Sequence, residues 1–481
     1  MRRSPQFGGV NVGENVVAAG RSRSGNAGDR IWPSPFRAWY AVAVFNVALI
    51  FSFIDRQIMS LLVEPIKQDL QISDTGMSLL MGTAFAVFYV LVGIPIGRLA
   101  DSRNRLRLIA IGIALWSAMT VVCGLAKNYW QLFFARVGIG IGESSLSPAA
   151  MSMLTDMFPR SKLPLAASLF AMGSSLGMAL ALLVGGLVIT MVSGTPEVTL
   201  PLLGTIRSWQ LSFIIVGLPG LLIVPLIATL QEPPRRGLIQ SGQGAPGVRP
   251  PSLPVREILV FICTDWRTYI PIFLALALKS LQGFGTSMWV PTFFIRTYGL
   301  DAGQVGYLQG MVTLIGAPLG MIAGGTLASW YSRRNYNDAN LRVVLIAAVL
   351  VIPFIILYPL MENYEMALLL YGGNMFFSSM SAGPAAAALQ IIAPNQMRAQ
   401  ILAFYYFILN LVGYGLGPTA VAIFTDYVFV DENSLNLSIA TIAITLGPLA
   451  ALITWFGLKP YAASVVRAEQ WNHVDTASGN R

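Results

Sequence analysis

Five ionisable side chains lie in long stretches of the sequence that are otherwise almost entirely apolar: Asp55, Arg56, Arg136, Glu143 and Lys279. A charge within lipid costs from about 2.5 kcal/mol upward, so such residues normally face a cavity and one another. Arginine keeps its proton under usable conditions, which leaves the two carboxylates as the groups that can carry a transportable proton. We therefore interpret Asp55 and Glu143 as proton sites, and Arg136 as the cation whose movement switches them between binding and release.

The composition excludes most other classes of protein. The chain has 481 residues, of which 55% are hydrophobic and only 11% charged, and its mean hydropathy is +0.65. Soluble chains carry about a quarter charged residues, so a soluble enzyme, a disordered chain and a DNA-binding domain are excluded. The net charge of +9 then indicates basic loops rather than nucleic-acid binding. The two cysteines, Cys123 and Cys263, lack metal-ligand spacing, and we expect no disulfide, metal or cofactor.

Apolar runs of about 20 residues, the length that crosses a hydrocarbon core of roughly 30 Å, occur repeatedly along the chain. Because unpaired backbone groups are not tolerated in lipid, each run is predicted to be a helix. The predicted fold class is an all-α polytopic membrane protein with twelve transmembrane helices. The predicted spans cover residues 38–62, 76–96, 106–125, 130–153, 163–192, 209–230, 268–295, 303–328, 341–361, 366–392, 399–425 and 437–458.

Basic residues lie mainly on one side of these spans. Of the 31 Lys and Arg residues, 24 lie in or beside the connections and tails on the side of the chain termini. The opposite connections contain only four, Lys67, Lys127, Arg207 and Arg296. This bias predicts that both termini are cytoplasmic and, in a bacterium, that the chain lies in the inner (plasma) membrane.

A polar segment rich in Gly, Pro and Ser divides the chain into two halves. Residues 231–267 form the predicted cytoplasmic linker between an N-terminal six-helix bundle at 38–230 and a C-terminal one at 268–458. The polar segment 1–37 has no apolar core ahead of a cleavage site, and is predicted to be a disordered cytoplasmic tail. A second cytoplasmic tail is predicted at 459–481.

The two halves share short sequence motifs. The segment 97–101 (GRLAD) reappears in similar form as 325–329 (GTLAS), at an offset of 228. Pro159, which precedes an Ala-rich helix, is matched by Pro394 at an offset of 235. Internal repetition of this kind indicates two similar helix bundles related by pseudo-symmetry.

The connection after the second span contains a motif of five residues, Gly97, Leu99, Ala100, Asp101 and Arg105. With the six-plus-six arrangement of spans, this motif resembles the major facilitator superfamily of secondary transporters. The resemblance implies two pseudo-symmetric bundles that alternate in access. It also implies that Asp101 docks near the start of the eleventh span as a cytoplasmic gate, while Arg105 and the neighbouring arginines face solvent or lipid phosphates.

Further segments in the first, fourth and sixth spans narrow this resemblance to the Spinster branch of the superfamily. The segments are Asp55-Arg56, the run from Arg136 through Glu143 to Pro148, residues 218–220 (LPG) and residues 232–235 (EPPR). We identify the chain by them as a bacterial homologue. The branch implies proton-driven transport of lipid-like molecules such as sphingoid phosphates and lysophospholipids.

The spacing of the charged residues predicts their depth. Asp55 lies seven residues before the end of the first span and Arg136 six residues after the start of the fourth, about 10 and 9 Å from the same membrane face. If these helices are neighbours, as the resemblance implies, the two residues form an ion pair. Glu143 lies nearly two turns deeper on the Arg136 face, and Arg56 points about 100° away as a gate partner or substrate contact. The alternative is a structural role, in which the ions only hold the two helices together.

Lys279 lies about eleven residues into the seventh span, near the midplane, and no acid occurs in any predicted span of the second half. A cation there suits a phosphate or carboxylate headgroup. It could instead pair with Glu143 across the cavity, or lie on a water-filled crevice without touching substrate. We expect Asn374 and Tyr405, from the amide and aromatic groups of the second half, to contact substrate together with Arg56, Glu143 and Lys279.

Two other functions use the same features. Arg56, Arg136 and Lys279 could bind the carboxylate of a hydrophilic organic anion such as a sugar acid, and the same fold could leak lipid passively as a scramblase. An enzyme is excluded, because the nucleophile-elbow pattern around Ser175 lies inside a predicted span and the only histidine, His473, lies in the C-terminal tail. The expected partners are a small amphiphilic or anionic substrate, protons and the lipid bilayer, with no nucleic acid and with the chain as a monomer.

Overall fold

Nearly all of the described chain is helical, so the predicted all-α polytopic class is confirmed. The computed structural model describes residues 32–159, 162–194, 197–200, 204–235, 255–394 and 397–478. The predicted N-terminal tail up to residue 31 and the centre of the predicted linker, residues 236–254, lie outside the described residues.

The first half contains a series of helices and one β-hairpin. The helices are α1 (Pro35–Leu61), α2 (Val63–Leu70), α3 (Asp74–Ser78), α4 (Ala84–Ser102), α5 (Arg105–Cys123), α6 (Tyr129–Glu143), α7 (Leu146–Met157), α8 (Leu163–Ser193), α9 (Ser208–Leu221) and α10 (Ile223–Ala228), with a π-helical segment, Leu79–Thr83, between α3 and α4. Between α8 and α9, strand β1 (Glu197–Leu200) pairs antiparallel with β2 (Gly204–Arg207), and Glu197 lies opposite Arg207.

The second half continues the pattern from the end of the linker. Its helices are α11 (Val255–Thr264), α12 (Trp266–Tyr298), α13 (Ala302–Arg333), α14 (Ala339–Leu357), α15 (Tyr364–Met380), α16 (Ala382–Ile391), α17 (Arg398–Ile408), α18 (Gly417–Ile423) and α19 (Leu435–Ser478). Leu409–Leu416 and Phe424–Phe429 are π-helical, and Tyr358–Leu360 and Glu432–Ser434 are short 3-10 turns.

Side-chain caps begin several of these helices. The Ser34 hydroxyl accepts a hydrogen bond from the Arg37 N–H, and a proline follows in the first turn of α1. The amide oxygens of Asn104 and Asn128 accept main-chain N–H groups at the starts of α5 and α6 in the same way. These contacts satisfy N–H groups that have no partner within the helix, which fixes where the chain enters each helix.

Nine helices of the described chain are long and apolar enough to cross a membrane, and a tenth is α12, counted with α11 as one bent pair. The predicted fourth and tenth spans are each divided into two shorter helices, at Ser144–Ser145 and at Ser381. Pro148 and Pro384 lie just after these breaks. A proline in a helix lacks an N–H, and its ring clashes with the carbonyl group four residues earlier. Each of these two apolar runs is therefore interrupted by a local break in the helix just before its proline.

Two predicted non-membrane segments are partly helical. The end of the predicted linker is α11, whose Ile258 and Ile262 are buried in one cluster with Tyr269 and Tyr461, and which meets α12 at 104°. Helix α19 continues to Ser478, through most of the predicted C-terminal tail. Counting apolar runs misses α11 and the end of α19 because it detects only hydrophobic stretches that are long enough to cross the lipid.

Glycine contacts position the fourth predicted span against its neighbours. A side chain at Gly140 of α6 would lie 2.5 Å from the Phe85 carbonyl oxygen of α4, and one at Gly142 would lie 2.7 Å from the Gly112 carbonyl oxygen of α5. Only glycine allows backbones to approach this closely in a bundle. Helix α6 is therefore held between α4 and α5, and its charged residues lie next to α1.

The two halves contact each other along α8 and α13. A side chain at Gly186 would lie 2.8 Å from the Gly303 carbonyl oxygen, and one at Gly310 would lie 3.1 Å from the Ala179 carbonyl oxygen. We name the end of the molecule where α1 begins the terminal end, and the opposite end, where α2 and the β-hairpin lie, the distal end. The contact at Gly186 lies near the distal end, because α8 ends and α13 begins there, and a side chain at Gly82 would collide with the Tyr414 carbonyl oxygen of the other half.

Candidate functional site

Glu143 and Arg56 form a buried ion pair between α6 and α1. Both the Nη2 and the Nε of Arg56 lie 2.5 Å from the Glu143 Oε2. The Ser52 hydroxyl donates to the same oxygen at 2.5 Å, because Ser52 lies one turn before Arg56 on the same face of α1. The other oxygen, Oε1, is buried and has no hydrogen-bond partner. Arg56 was expected to be a gate partner or substrate contact; the structure shows it as the partner of Glu143.

Arg136 joins three elements of the first half. Its Nη1 donates to the main-chain oxygen of Asp55 at 3.0 Å and its Nε to the main-chain oxygen of Leu80 at 3.2 Å. The third nitrogen, Nη2, is buried without a hydrogen-bond partner. The side chain is fully buried, so α1, α6 and the π-helical segment Leu79–Thr83 are fixed to one another at this level.

The Asp55 carboxyl group does not form the expected ion pair with Arg136 within the described chain. The carboxyl group lies near Thr120 of α5, and its Oδ1 is buried without a hydrogen-bond partner. The predicted depth is correct, since Arg136 reaches the Asp55 backbone. The prediction is wrong about direction, because the carboxyl group points towards α5.

Aromatic rings surround the Arg56 guanidinium group. Its central carbon lies 4.5 Å from the ring centre of Phe85, 5.1 Å from those of Phe53 and Tyr89, and 6.0 Å from that of Tyr414. Tyr414 belongs to the second half, where it stacks on Phe284 at 4.0 Å. Ring faces attract cations, so these contacts stabilise a charge that is largely out of water. The ion cluster therefore lies at the contact between the halves.

Lys279 lies at the break between α15 and α16. Its ammonium group donates to the Ser378 carbonyl oxygen at 3.2 Å and also bonds the Ser381 hydroxyl. Carbonyl groups at a helix end lack intrahelical partners, so a cation is favoured there. The alternative in which Lys279 pairs with Glu143 is wrong in this structure, where Glu143 pairs with Arg56. An ammonium group has three donors, and the two serine contacts use two of them.

The remaining predicted substrate residues lie in two places. Asn374 is buried on α15, where its Oδ1 accepts from the Ser378 hydroxyl at 3.2 Å, one step from Lys279. Tyr405 is buried in an apolar cluster of the second half that includes Phe273. The structure thus brings Asn374 to the Lys279 region and places Tyr405 in the packing around α12.

Arg105, the last residue of the predicted gate motif, is 1% exposed and ion-paired. Its Nη1 lies 2.5 Å from Asp156 Oδ2 and 3.1 Å from the Ser152 hydroxyl of α7. Its Nε lies 3.2 Å from Glu232 Oε1, and its Nη2 donates to the Pro233 carbonyl oxygen at 3.1 Å. The expectation that this arginine faces solvent or lipid phosphates is wrong, because two acids far away in sequence converge on it.

The rest of the motif lies at the end of α4. Arg235 donates to the main-chain oxygens of Ala100 at 3.0 Å and Arg103 at 2.6 Å, and so covers the end of the helix. A side chain at Gly97 would meet nothing within 4 Å. The Asp101 side chain lies outside the described residues, and its docking near the eleventh span stays a prediction.

Ion pairs between the halves close the distal end. Arg296 of α12 contacts both carboxylate oxygens of Asp74, at 2.7 and 2.8 Å, and its Nε lies 2.7 Å from Glu64 Oε1. Lys67 pairs with Asp74 in its own half, and lies 2.8 Å from Glu432 Oε1 of the second half. In the part of the chain that the structure describes, every ion pair between the halves belongs to this group of five residues, which we name the distal network.

Further hydrogen bonds between the halves extend this closure inward. The Thr75 N–H donates to Asp426 Oδ2 at 2.6 Å, and the Thr83 hydroxyl donates to the Gly415 carbonyl oxygen at 2.7 Å. Gly415 is next to Tyr414, which contacts the Arg56 environment. The closed contact between the halves therefore runs from the distal end to the ion cluster.

Residues 45–418, which include most of both halves, match the sequence profile of the Major Facilitator Superfamily. The chain belongs to this superfamily. It is therefore a multi-pass membrane transporter and not an enzyme. The motif beginning at Gly97 and the repeated halves are the features by which the sequence predicted this membership.

Individual members of the superfamily are similar over nearly the whole chain. An MFS-type efflux pump of Mycolicibacterium smegmatis (strain ATCC 700084 / mc(2)155) is 27% identical over 442 residues, 90% of this chain and 95% of the relative. The sphingosine-1-phosphate transporter SPNS2 of Xenopus tropicalis is 21% identical, with 82% and 75% covered. The crystal structure of a bacterial homologue of the human lysosomal transporter Spinster, inward-facing and unoccupied, shares the fold with a TM-score of 0.71, 23% identity and coverage of 91% and 98%. The predicted resemblance to Spinster proteins thus appears in both comparisons.

Some contacts of this superfamily member were missed by sequence reasoning. Ser52 could have been found from its spacing, since it precedes Arg56 by four residues on one helix face. Lys67 and Arg296 were interpreted only as loop charges, although Glu64 and Asp74 flank one of them in sequence. Tyr414 gave no sequence signal, because its contact with Arg56 depends on how the halves pack.

Proposed function

We propose that this transporter moves an amphiphilic, lipid-like anion of the sphingoid phosphate or lysophospholipid class by proton-coupled alternating access. The observation that carries the proposal is the buried pair of Arg56 and Glu143, which lies beside a second carboxyl group, Asp55, where the halves meet. The similarity to a sphingosine-1-phosphate transporter supports the substrate class. Buried ionisable groups in membrane helices mark pathways more often than simple structural contacts.

Each carboxyl group has one oxygen free to accept a proton. Glu143 Oε1 and Asp55 Oδ1 are buried without hydrogen-bond partners, whereas Glu143 Oε2 accepts hydrogen bonds from Ser52 and Arg56. Protonation of Glu143 removes the charge that holds Arg56, which frees the guanidinium group. In the proposed cycle, Arg136 remains the switch: its free Nη2 supplies a partner for Asp55 when the helices shift and Asp55 is ionised.

The substrate headgroup takes over the cation that Glu143 releases. A phosphate group accepts two parallel hydrogen bonds from a guanidinium group, as a carboxylate does, so Arg56 is the proposed primary contact. Lys279 contributes its remaining donor, with Asn374 beside it. The rings of Phe85 and Tyr89 suit the apolar part of the substrate, and Tyr405 is proposed to border it from the second half.

A competition experiment tests the substrate class. Purified protein in detergent is titrated with a radiolabelled sphingoid phosphate, and unlabelled lysophosphatidylglycerol or glucuronate is added as competitor. We expect the lysophospholipid to displace the label and the sugar acid to leave it bound, because only the lipid supplies an apolar chain for the aromatic rings. Displacement by glucuronate alone supports a hydrophilic anion carrier instead, and transport that ignores an imposed proton gradient supports a passive lipid leak.

The same assay measures the contribution of Lys279. A hydrogen bond to a charged group is worth about 1.5–3 kcal/mol, so Lys279→Ala is expected to weaken binding of the labelled phosphate roughly tenfold or more. Lys459→Ala removes an exposed lysine of α19 and serves as the matched control with unchanged affinity. If Lys279→Ala binds the labelled phosphate with unchanged affinity, the role of Lys279 is limited to its contacts with Ser378 and Ser381 at the break between α15 and α16.

Both termini are proposed to be cytoplasmic, as the basic connections predict. The chain offers a direct test, because Cys263 is exposed on α11 near the terminal end whereas Cys123 is buried. We expect a membrane-impermeant maleimide to label Cys263 of the protein in opened spheroplasts but not in intact ones. The substitution Cys263→Ser is expected to remove the labelling of the protein. Labelling of intact spheroplasts at Cys263 contradicts the orientation.

A further inference from the structure

A cleft of about 520 Å³ opens at the terminal end of the second half. It lies between the end of α13, the start of α14 and the first part of α16. Arg333, Ser332 and Asn340 bring polar groups to its walls, and Gly325 and Gly383 leave parts of the backbone uncovered. A side chain at either glycine would meet nothing within 4 Å, so the cleft has room beside the main chain.

The equivalent place in the first half is filled by Arg105. The offset that relates Pro159 to Pro394 assigns each residue of the Arg105 site a counterpart in the second half. The counterparts are Asn340 for Arg105, Ala387 for Ser152 and Ile391 for Asp156. At these positions the second half has neither the buried guanidinium group nor the polar groups of α7 that bind it, and the offset of 228 that relates the loop motifs aligns Arg105 with Arg333 at the rim of the cleft.

The second half carries positive charge at the rim of this cleft. The connection between α13 and α14 comprises residues 334–338, whereas residues 103–104 alone connect α4 to α5. Arg334 lies over the ring of Trp330 at 3.8 Å. Arg333, the last residue of α13, is exposed, and its side chain has no hydrogen bond or ion pair with any residue that the structure describes. The Arg333 side chain at the rim of the cleft thus has no acidic partner in the described chain. A cleft with an unpaired cation at its rim suits an anionic ligand.

Aromatic residues indicate the depth of the cleft in the membrane. Trp330 and Tyr336 flank Arg333 in sequence, and each is 44% exposed. Trp and Tyr are enriched where the hydrocarbon core meets the headgroups of the bilayer. Basic pockets between helices at this level bind the headgroups of anionic lipids. We propose that the cleft is a binding site for the phosphate headgroup of an anionic phospholipid of the bilayer, with Arg333 as its charged contact.

This site goes beyond the transport cycle, because its occupant is a membrane lipid that remains bound rather than the transported substrate. Arg333 supplies the charge, while Ser332 and Asn340 supply polar contacts around the phosphate. The glycerol and acyl chains continue past Trp330 into the bilayer. In the first half, Arg105 and Glu232 occupy the corresponding space, so the site is specific to the second half.

Binding is measured on the full-length protein in a neutral detergent, titrated with fluorescent phosphatidylglycerol. One arginine near an anionic lipid surface contributes about 1 kcal/mol, so Arg333→Ala is expected to weaken binding about fivefold. Gly325→Leu leaves the charge in place but fills the cleft, and is expected to weaken binding as well. Arg334→Ala removes the neighbouring charge that stacks on Trp330, and serves as the control with nearly unchanged affinity.

Two outcomes overturn the proposal. Wild-type affinity for phosphatidylglycerol in both Arg333→Ala and Gly325→Leu shows that the lipid binds elsewhere. Displacement of the fluorescent lipid by an equal concentration of glycerol phosphate shows that the cleft is a site for soluble phosphate. A thermal unfolding midpoint equal to that of the wild type shows that a variant is folded. Gly325→Leu is expected to pass this test because a side chain at this position enters open space.

Discussion

Glu143→Gln is expected to abolish proton-driven accumulation of substrate while the protein remains folded. Glutamine keeps the size of the side chain and an oxygen that accepts from Ser52 and Arg56, but it cannot bind and release a proton. In proteoliposomes with an imposed pH gradient, uptake by the variant falls to the level of protein-free liposomes. Exchange of labelled for unlabelled substrate without a gradient persists, because it does not require a proton to cross.

The comparison with Asp55→Asn separates the two carboxyl groups. Asp55 lies in the same cluster, but its carboxyl group forms no ion pair with an arginine side chain of the described chain, so its variant reports on a second candidate proton site. Glu362→Gln, which changes an exposed acid near the start of α15, is the control with wild-type uptake. Full gradient-driven uptake by both Glu143→Gln and Asp55→Asn removes proton coupling from this cluster and leaves it a structural role.

Arg296→Ala is expected to open the distal end of the transporter. The side chain is 7% exposed and contacts Asp74 and Glu64 of the other half. Removing one partner of a buried ion pair costs about 3 kcal/mol, or roughly a hundredfold in the equilibrium between distal-closed and distal-open states. Spin labels at Glu197 and Asn433, which are exposed at the distal end of opposite halves, measure the change as a longer distance.

A matched control exists at the same end of the molecule. Arg207 pairs with Asp69, but both residues belong to the first half. Arg207→Ala therefore removes one charge and one ion pair from the distal end without loosening the contact between the halves. Equal label distances in Arg296→Ala and in the wild type would show that glycine packing between α8 and α13 holds the halves together without the distal network.

The all-helical membrane fold was accessible from the sequence because lipid-length apolar runs are local signals. The breaks at Ser144–Ser145 and Ser381 were not predicted, although the prolines that follow them are visible, since a proline can also be accommodated in a continuous helix. The hairpin of β1 and β2 was missed because lipid-length apolar runs reveal only membrane spans. Among its described side chains, Ile206 is buried.

Depth along a helix could be predicted, whereas direction around it could not. Counting residues placed Asp55 and Arg136 at one level, and the Arg136 contact with the Asp55 backbone agrees with that. Which carboxylate meets which guanidinium group depends on how α1 is rotated against α5 and α6, and this rotation is fixed by close packing at Gly140 and Gly142. The predicted ion pair between Asp55 and Arg136 was therefore wrong, although all four charged residues of the cluster were identified.

Arg105 shows the same limit for a motif. Its surroundings in sequence are basic, and a basic connection is fully explained by membrane topology. The acids that bury it, Asp156 and Glu232, lie 51 and 127 residues away. Only the folded bundle brings them together.

The break at Ser144–Ser145 separates α7 from α6 as a short rigid helix. Glu143 lies directly before the start of α7, and Asp156, which binds Arg105, lies near its end. Twelve residues of α-helix measure about 18 Å, so a bend of about 10° at the break displaces the far end by about 3 Å. A displacement of that size is as large as a hydrogen bond is long, so a bend of about 10° at Ser144–Ser145 would be enough to separate Asp156 from Arg105 at the terminal end.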